Sequence, residues 1–228
     1  MEELRPEHES VDLEETPPPP EEEAQESHPV DPAFLFFVLV VITLLGLNGL
    51  AVEVRYTVLW SALTITAVFT LLFDRFTIEP LNLRGLLIGI GLAALIGLPV
   101  VAVGAEQLHA VSFDLFQKSS DAAIFQMLVF TMPLAEGLFF RAAFHSARGA
   151  VFSGLAAGVW SIIMFFPQLD VLRFPLVAFV FGLVFVFLNA LYSYVRQRAG
   201  FFASLSCQIT INLLLLFLTR FMLTTPVR

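Results

Sequence analysis

Residues 123–145, AIFQMLVFTMPLAEGLFFRAAFH, place a glutamate and an arginine within a long apolar run. Ahead of Glu136, the polar residues of this segment are Gln126 and Thr131. An ionisable side chain at membrane depth is costly to bury and commonly marks a functional position. This stretch therefore predicts a membrane-spanning helix, with Glu136 and Arg141 as candidate site residues.

The whole chain has the composition of a membrane protein. Of its 228 residues, 57% are hydrophobic and 25 are phenylalanine, and the mean hydropathy is +0.83. These values lie far outside those of soluble domains. The net charge of -8 comes from residues 1–32, which hold 12 acidic residues and one basic residue, so that residues 33–228 carry a net charge of +3. We expect membrane lipid around the apolar part and no nucleic-acid partner.

Residues 1–32 predict a disordered, acidic, proline-rich tail centred on ETPPPPEEE. Such a segment has too little apolar surface to offset the entropy lost on ordering. It also lacks the basic start and apolar run of a signal peptide. The tail is either a solvated spacer or a recruiting segment for a basic partner.

From residue 33 onward, apolar runs approach or reach the ~20 helical residues that a bilayer core requires. They predict an all-α polytopic domain over 33–228 with about seven crossings: 33–52, 57–73, 85–105, 122–147, 149–168, 174–195 and 201–219. Between them, residues 74–84 predict a loop, and residues 106–121 predict an interfacial helix. The orientation is undecided, because each side of such a bundle receives five Lys or Arg residues.

Two pairs of glycines stand four residues apart on predicted helices. They are Gly85 with Gly89 and Gly154 with Gly158. Small residues at this spacing let membrane helices approach closely. We therefore expect each pair to lie in a helix interface.

Polar side chains of three predicted helices fall at comparable depths. The predicted turn at Arg148 and Gly149 begins 12 residues after Glu136, and Asn212 lies 12 residues after the turn at 200, which is ~18 Å of helix in each case. Gln168 lies ~28 Å along the returning helix, and Gln208 is one helical turn from Asn212. The set predicts one polar cavity, and the alternative is that the amides only tie helices together.

The segment EGLFFRA, residues 136–142, resembles the first motif of the CAAX-prenyl-protease and bacteriocin-processing (CPBP) membrane protease family. That motif has two adjacent glutamates, three further residues and an arginine. Glu136 and Arg141 match it, whereas Gly137 replaces the second glutamate. The resemblance covers roughly residues 85–220.

Two further segments stand in the order of the family's other motifs. MFFPQ, residues 164–168, occupies the place of a phenylalanine, three further residues and a histidine, with Met164 and Gln168 at its ends. QITIN, residues 208–212, occupies the place of a histidine and an asparagine, with Gln208 replacing the histidine and Asn212 retained. Both motif histidines are therefore missing.

The resemblance implies a multi-pass protein of the bacterial cytoplasmic membrane on the scaffold of a glutamate-dependent endopeptidase. In the family, the first glutamate and the histidine of the second motif activate a water molecule. The histidine and asparagine of the third motif stabilise the oxyanion, and the arginine holds the second glutamate. Substrates of some members are prenylated C-terminal peptides.

Two hypotheses follow. Gln168 and Gln208 do not titrate, so neither shuttles a proton as histidine does, although amide N–H groups can donate to an oxyanion. We favour a non-catalytic descendant that binds a peptide, a lipid or a membrane partner. The alternative is an active endopeptidase in which Glu136 activates water.

The other reactive residues are expected to lie outside the site. No two of the four histidines stand at ligand spacing on one helix face, so we expect no metal and no cofactor. His145 points away from Glu136, and the single cysteine, Cys207, is a small buried residue.

Arg141 needs an acceptor, because an unpaired buried guanidinium is very costly. The candidates are carbonyls at a helix break, Ser161 and Glu136, unless Arg141 reaches the membrane interface.

Overall fold

The computed structural model describes residues 31–46, 50–74, 78–116, 119–168 and 175–222. Within these ranges, all regular secondary structure is helical. Of the predicted tail, Asp31 and Pro32 are described, and the rest lies outside the described residues. The expectation of disorder there stays a prediction.

The helices, numbered in chain order, are α1 (Pro32–Gly46), α2 (Val52–Asp74), α3 (Leu83–Leu115), α4 (Asp121–Gln126), α5 (Met132–Glu136), α6 (His145–Phe165), α7 (Pro175–Ala199), α8 (Phe201–Asn212) and α9 (Thr219–Met222). Three π-helical segments connect α4 to α5, α5 to α6 and α8 to α9: Met127–Thr131, Gly137–Phe144 and Leu213–Leu218. A 3-10 turn, Phe166–Gln168, follows α6.

Five helical stretches of the described residues are long and apolar enough to cross a membrane: Val52–Phe73, Leu83–Leu115, Asp121–Gln168, Pro175–Ala199 and Phe201–Phe221. Their outward side chains are apolar, and Leu95 and Val103 of α3 are 71% and 89% exposed. A surface this apolar requires lipid rather than water around it. The chain is an integral membrane protein. The first predicted crossing appears as α1, which is apolar but has only 15 residues.

The 48-residue stretch Asp121–Gln168 reverses direction at Gly149. Gly149 has φ 79° and ψ 176°, a conformation that only glycine adopts without strain. Ser153 Oγ donates to the Phe140 carbonyl at 2.5 Å, although a straight helix would separate these residues by ~20 Å. The predicted turn at this point is confirmed.

A second glycine turn separates α7 from α8. Gly200 has φ 93°, and Ser204 Oγ donates to the Tyr192 carbonyl at 2.7 Å. The two helices therefore lie side by side. This arrangement places α8, which carries Gln208 and Asn212, within the bundle.

The paired glycines lie where helices approach most closely. A Cβ added to Gly154 would stand 2.9 Å from Ala190 Cα, and one added to Gly158 would stand 2.8 Å from Val186 Cα. A Cβ on Gly89 would stand 2.1 Å from the Ala203 carbonyl oxygen. The prediction that these glycines form helix interfaces is confirmed, with α6 on α7 and α3 on α8.

The segment after residue 105 differs from the prediction. It continues α3 to Leu115 after an irregular residue, Gly104, with φ -116° and ψ 18°. Ser112 Oγ donates to the Leu216 carbonyl at 2.8 Å, and His109 Nδ1 lies 3.1 Å from the Thr219 carbonyl. These two polar side chains thus satisfy carbonyls near the end of the chain's last helical segment, so one face of residues 106–115 packs against the bundle, whereas Glu106, Gln107 and Asp114 are exposed.

The helix α1 begins at Pro32, one residue earlier than expected. Asp31 Oδ1 accepts from the Ala33 N–H at 2.9 Å, and Pro32 occupies the first helical position. An aspartate cap followed by proline is a favourable helix start. Asp31 also pairs with Arg148, which joins this start to the turn at Gly149.

Replacing Gly89 by alanine is expected to destabilise the protein, because the added methyl group meets the Ala203 carbonyl and the Ser206 hydroxyl. Overpacking of this kind costs ~1–3 kcal/mol. Gly91→Ala in the same helix is the matched control, since no atom lies within 4 Å of its added Cβ. The measurement is the free energy of unfolding in detergent micelles. An equal effect of both substitutions would contradict the packing of α3 on α8.

Candidate functional site

Glu136 and Arg141 are brought together by a π-helical segment that begins directly after Glu136. Glu136 ends α5, and Arg141 lies within Gly137–Phe144. In a π-helix the N–H of each residue bonds the carbonyl five residues back, so Arg141 stands about one turn above Glu136 rather than above Gly137. Both side chains are only 1% exposed. Arg141 is therefore enclosed by the protein and does not reach the surface of the bundle.

Gln208 bridges these two charged side chains. Its Nε2 donates to Glu136 Oε2 at 2.7 Å, and its Oε1 accepts a hydrogen bond from Arg141 Nη1. The amide is itself only 1% exposed. One side chain of α8 thus uses both its donor and its acceptor to hold the carboxylate and the guanidinium, and we call these three residues the buried bridge.

The acceptor of Arg141 is not among those expected from the sequence. Ser161 donates instead to the Ala157 carbonyl at 3.0 Å and accepts from Asn189 Nδ2 at 3.0 Å. Glu136 reaches Arg141 through Gln208. The expectation failed because it treated Gln208 as part of a cavity wall and not as a hydrogen-bond partner.

Aromatic side chains enclose the buried bridge. The Arg141 guanidinium lies 4.9 Å from the centre of the Tyr192 ring, a favourable cation–π distance. The Trp60 indole neighbours the Glu136 carboxylate, although its N–H completes no regular hydrogen bond. Glu136 Oε1 and the Arg141 atoms Nε and Nη2 also have no hydrogen-bond partner among the described residues. The two buried charges are thus only partly satisfied.

Asn212 has a structural partner on the neighbouring helix. Its Nδ2 donates to the Leu128 carbonyl at 3.1 Å and lies 3.7 Å from Met132 Sδ. In the π-helical segment Met127–Thr131, the Leu128 carbonyl would accept from residue 133, which is a proline without an N–H. Asn212 supplies the missing donor. It thereby fastens α8 to the segment that carries Glu136.

Gln168 does not join the other predicted site residues. It lies in the 3-10 turn beyond α6, partly exposed, and makes no described hydrogen bond with Glu136, Gln208 or Asn212. The reason is depth, since Gln168 stands ~10 Å further from its turn than Glu136 does. Met164 is fully buried in the hydrophobic core. The expectation that all four polar residues converge is therefore wrong for Gln168.

A cavity of about 70 Å³ lies beside the buried bridge. Gln208 and Asn212 line it, but Glu136 and Gln168 do not. Most of its other lining residues are apolar, including Val111, Phe165, Val184, Ile211 and Leu215. The predicted polar cavity is thus a mainly apolar one, with the amides of Asn189, Gln208 and Asn212 and the hydroxyl of Ser161 in its wall.

The described histidines lie away from Glu136. His109 contacts the Thr219 carbonyl, and His145 lines a separate pocket near the turn at Gly200. Cys207 is a free, fully buried cysteine. Within the described ranges, no group of three or more His, Cys, Asp or Glu residues could hold a metal ion.

Some features of the site carry no signal in the sequence. Trp60 and Tyr192 stand in apolar helices among many other aromatic residues. The sequence patterns considered above do not predict the π-helical segments. Pro133, near the end of the first of them, is nevertheless a residue known to disturb helices. Because Pro133 has no N–H, a carbonyl in the preceding turn lacks its helical donor. That reasoning would have predicted a polar side chain, such as Asn212, as its partner.

The fold and the site define a multi-helix integral membrane protein with one carboxylate, one guanidinium and one amide buried together. Comparisons of the chain with models of protein families, with curated proteins and with solved structures find no match. Buried polar groups in membrane helices either hold helices together or mark a functional position. In this chain the hydrogen bonds of Gln208 to Glu136 and Arg141 join two helical segments.

Gln208→Leu is expected to destabilise the protein by roughly 3 kcal/mol, because it leaves the buried Glu136 and Arg141 without their hydrogen bonds. Cys207→Ala at the adjacent, fully buried position is the control and should cost markedly less. The measurement is the free energy of unfolding in detergent micelles. A loss for Gln208→Leu no greater than for Cys207→Ala would refute the bridge.

Proposed function

We propose that the protein is a non-catalytic descendant of the CPBP protease scaffold that binds an apolar peptide or lipid segment within the membrane. The observation that carries the proposal is the buried bridge. Gln208 stands where the family has a histidine, and both ends of its amide are engaged by Glu136 and Arg141. The position serves to hold the bundle together.

The chemistry of peptide hydrolysis also favours a non-catalytic role. An activated water needs a base that takes its proton and a group that returns a proton to the leaving amine. Glu136 is 1% exposed, and its Oε2 already accepts from Gln208. Gln208 has no titratable proton. The described neighbours of Glu136 thus provide no second proton carrier.

The oxyanion half of the family's machinery is also occupied. Asn212 matches the family asparagine, but its Nδ2 donates to the Leu128 carbonyl. Turning this amide toward a substrate would leave the Leu128 carbonyl without a donor beside Pro133. The side chain therefore suits a structural role better than the stabilisation of an oxyanion.

The cavity indicates the chemistry of the ligand. Its walls combine apolar side chains with the amides of Asn189, Gln208 and Asn212. Val184 on α7 lines it and is 39% exposed on the lipid-facing surface. This wall favours the side entry of an apolar chain, such as an acyl group, a prenyl group or an apolar side chain of a membrane protein.

We also propose seven crossings, with α1 as the first and the two arms around Gly149 as the fourth and fifth. Contacts between helix ends support this order. At one end Asp31 pairs with Arg148 and Glu79 with Arg196, and at the other Ser119 bonds Glu53 and Arg220 bonds Asp121. The proposed family core spans about residues 85–220, and the proposed location is the bacterial cytoplasmic membrane.

The second candidate function is an active endopeptidase that uses Glu136. One observation favours it, since Glu136 Oε1 is buried and has no hydrogen-bond partner in the part of the chain that the structure describes. A carboxylate oxygen left free in this way can accept a proton from water. In this reading, opening of the bundle admits the water and the substrate.

The test uses protein reconstituted in liposomes and peptides with prenylated C termini that carry a photoreactive group. We expect crosslinking without cleavage, because the cavity accepts the apolar chain and the bridge lacks a proton relay. Leu215→Trp should abolish most crosslinking, since Leu215 lines the cavity. Crosslinks and cleavage products are measured by mass spectrometry.

Matched variants make the result decisive. Leu218→Trp, in the same π-helical segment but 38% exposed, should preserve crosslinking. Cleavage that disappears in Glu136→Gln but persists in Glu106→Gln, an exposed carboxylate on α3, would establish the protease instead. Neither crosslinking nor cleavage would overturn the proposal of an apolar peptide or prenyl ligand.

A further inference from the structure

A second pocket lies at the end of the bundle where α7 turns into α8. It measures about 530 Å³ and is lined by the loop before α3, the last turn of α7 and the first turn of α8. The titratable groups in its wall are Glu79, His145, Arg196 and Arg198. It is separate from the buried bridge.

The two arginines of this pocket differ in their hydrogen bonds and ion pairs. Arg196 donates from Nε to the Arg141 carbonyl at 3.0 Å and pairs with Glu79 at 2.5 Å. Arg198 forms no ion pair with the described residues, and its guanidinium lies 5.6 Å from the centre of the Tyr194 ring. Since Arg196 balances Glu79, Arg198 leaves the pocket with a net positive charge.

The first turn of α8 adds backbone donors. The Phe201 N–H donates to Glu79 Oε2 at 3.2 Å. The N–H groups of Phe202 and Ala203 have no described partner in the preceding turn, as is usual for the first residues of a helix. Both residues line the pocket. The start of α8 thus offers two more donors to an anion, with the helix dipole favouring negative charge.

Glu79 shows that this place accepts a negative charge. Partial burial raises the pKa of Glu79, but hydrogen bonds from Arg196 and the Phe201 N–H outweigh burial and hold that pKa below its usual range. The carboxylate accepts from one backbone N–H at the start of α8, that of Phe201. The N–H groups of Phe202 and Ala203 and the volume of the pocket remain available beside it.

The surroundings of the pocket fit a lipid. It lies at the ends of membrane-spanning helices, at the level where lipid headgroups meet the protein. Leu81 and Leu83 do not line it but flank its lining residue Asn82 in the chain, and they are 66% and 70% exposed. These side chains offer an apolar surface next to a positively charged, donor-rich pocket, which matches an acyl chain next to a phosphate.

We infer that this pocket binds the phosphate of an anionic lipid headgroup through Arg198 and the backbone N–H groups of Phe202 and Ala203. Arg196 and Glu79 shape the pocket by fixing the loop to the start of α8. Free phosphate shares the headgroup chemistry. The exposed leucines favour the lipid.

The test titrates the purified full-length protein in detergent with dioleoyl phosphatidylglycerol or dioleoyl phosphatidylcholine and counts bound lipids by native mass spectrometry. We expect stronger binding of the anionic lipid. Arg198→Gln should weaken it about fivefold, the factor expected for one arginine near an anionic lipid surface. Size-exclusion chromatography checks that the variant is folded.

Arg84→Gln is the matched control, because Arg84 is exposed near the same end of the bundle but does not line the pocket. Its binding of the anionic lipid should stay unchanged. Equal binding of the two lipids, or an equal loss in both variants, would overturn the inference. Complete displacement of the anionic lipid by millimolar inorganic phosphate would assign the pocket to a soluble anion instead.

Discussion

Burying Glu136 and Arg141 within a membrane domain is the constraint on which the rest of the structure depends. Both charged groups are removed from water, and the free-energy cost of their desolvation is offset only where other groups form hydrogen bonds with them. Gln208 provides that bond to each of them at once, and the Tyr192 ring faces the guanidinium. The position of α8 in the bundle is therefore tied to two charges on another segment.

Other contacts support this arrangement from outside the buried bridge. The π-helical geometry after Glu136 brings Arg141 round to face the same helix, and Asn212 fastens α8 one turn further along by bonding the carbonyl that Pro133 leaves free. Polar groups that serve hydrolysis in the proposed ancestor thus serve here as helix contacts. A mainly apolar cavity lies beside them, and the proposed binding function rests on it.

Much of the fold follows from the sequence in physical terms. Apolar runs predict where helices lie because lipid requires every backbone group to be bonded within a helix. Gly149 and Gly200 end such runs and adopt positive φ, which other residues avoid. Paired glycines predict contacts because small residues at this spacing let helix backbones approach closely. The continuation of α3 beyond Gly104 was missed, because its polar residues find partners on a distant part of the chain.

The candidate site was less predictable, because spacing arguments assume regular α-helices of 3.6 residues per turn. That assumption separates Arg141 from Glu136 and hides the role of Gln208. The same spacing places Gln168 ~10 Å further from its turn than Glu136, and this difference should have excluded Gln168 from the set. Family likeness pointed to the residues, whereas their partners depend on π-helical turns and on Pro133.

The most direct test of the account is a double-mutant cycle between Arg141 and Gln208. Arg141→Met, Gln208→Leu and the double variant are compared with the parent protein by their free energies of unfolding in detergent. The account predicts a coupling energy of ~1–3 kcal/mol, as found for residues in one buried network. Additive effects of the two substitutions would contradict the claim that Gln208 holds the buried charges.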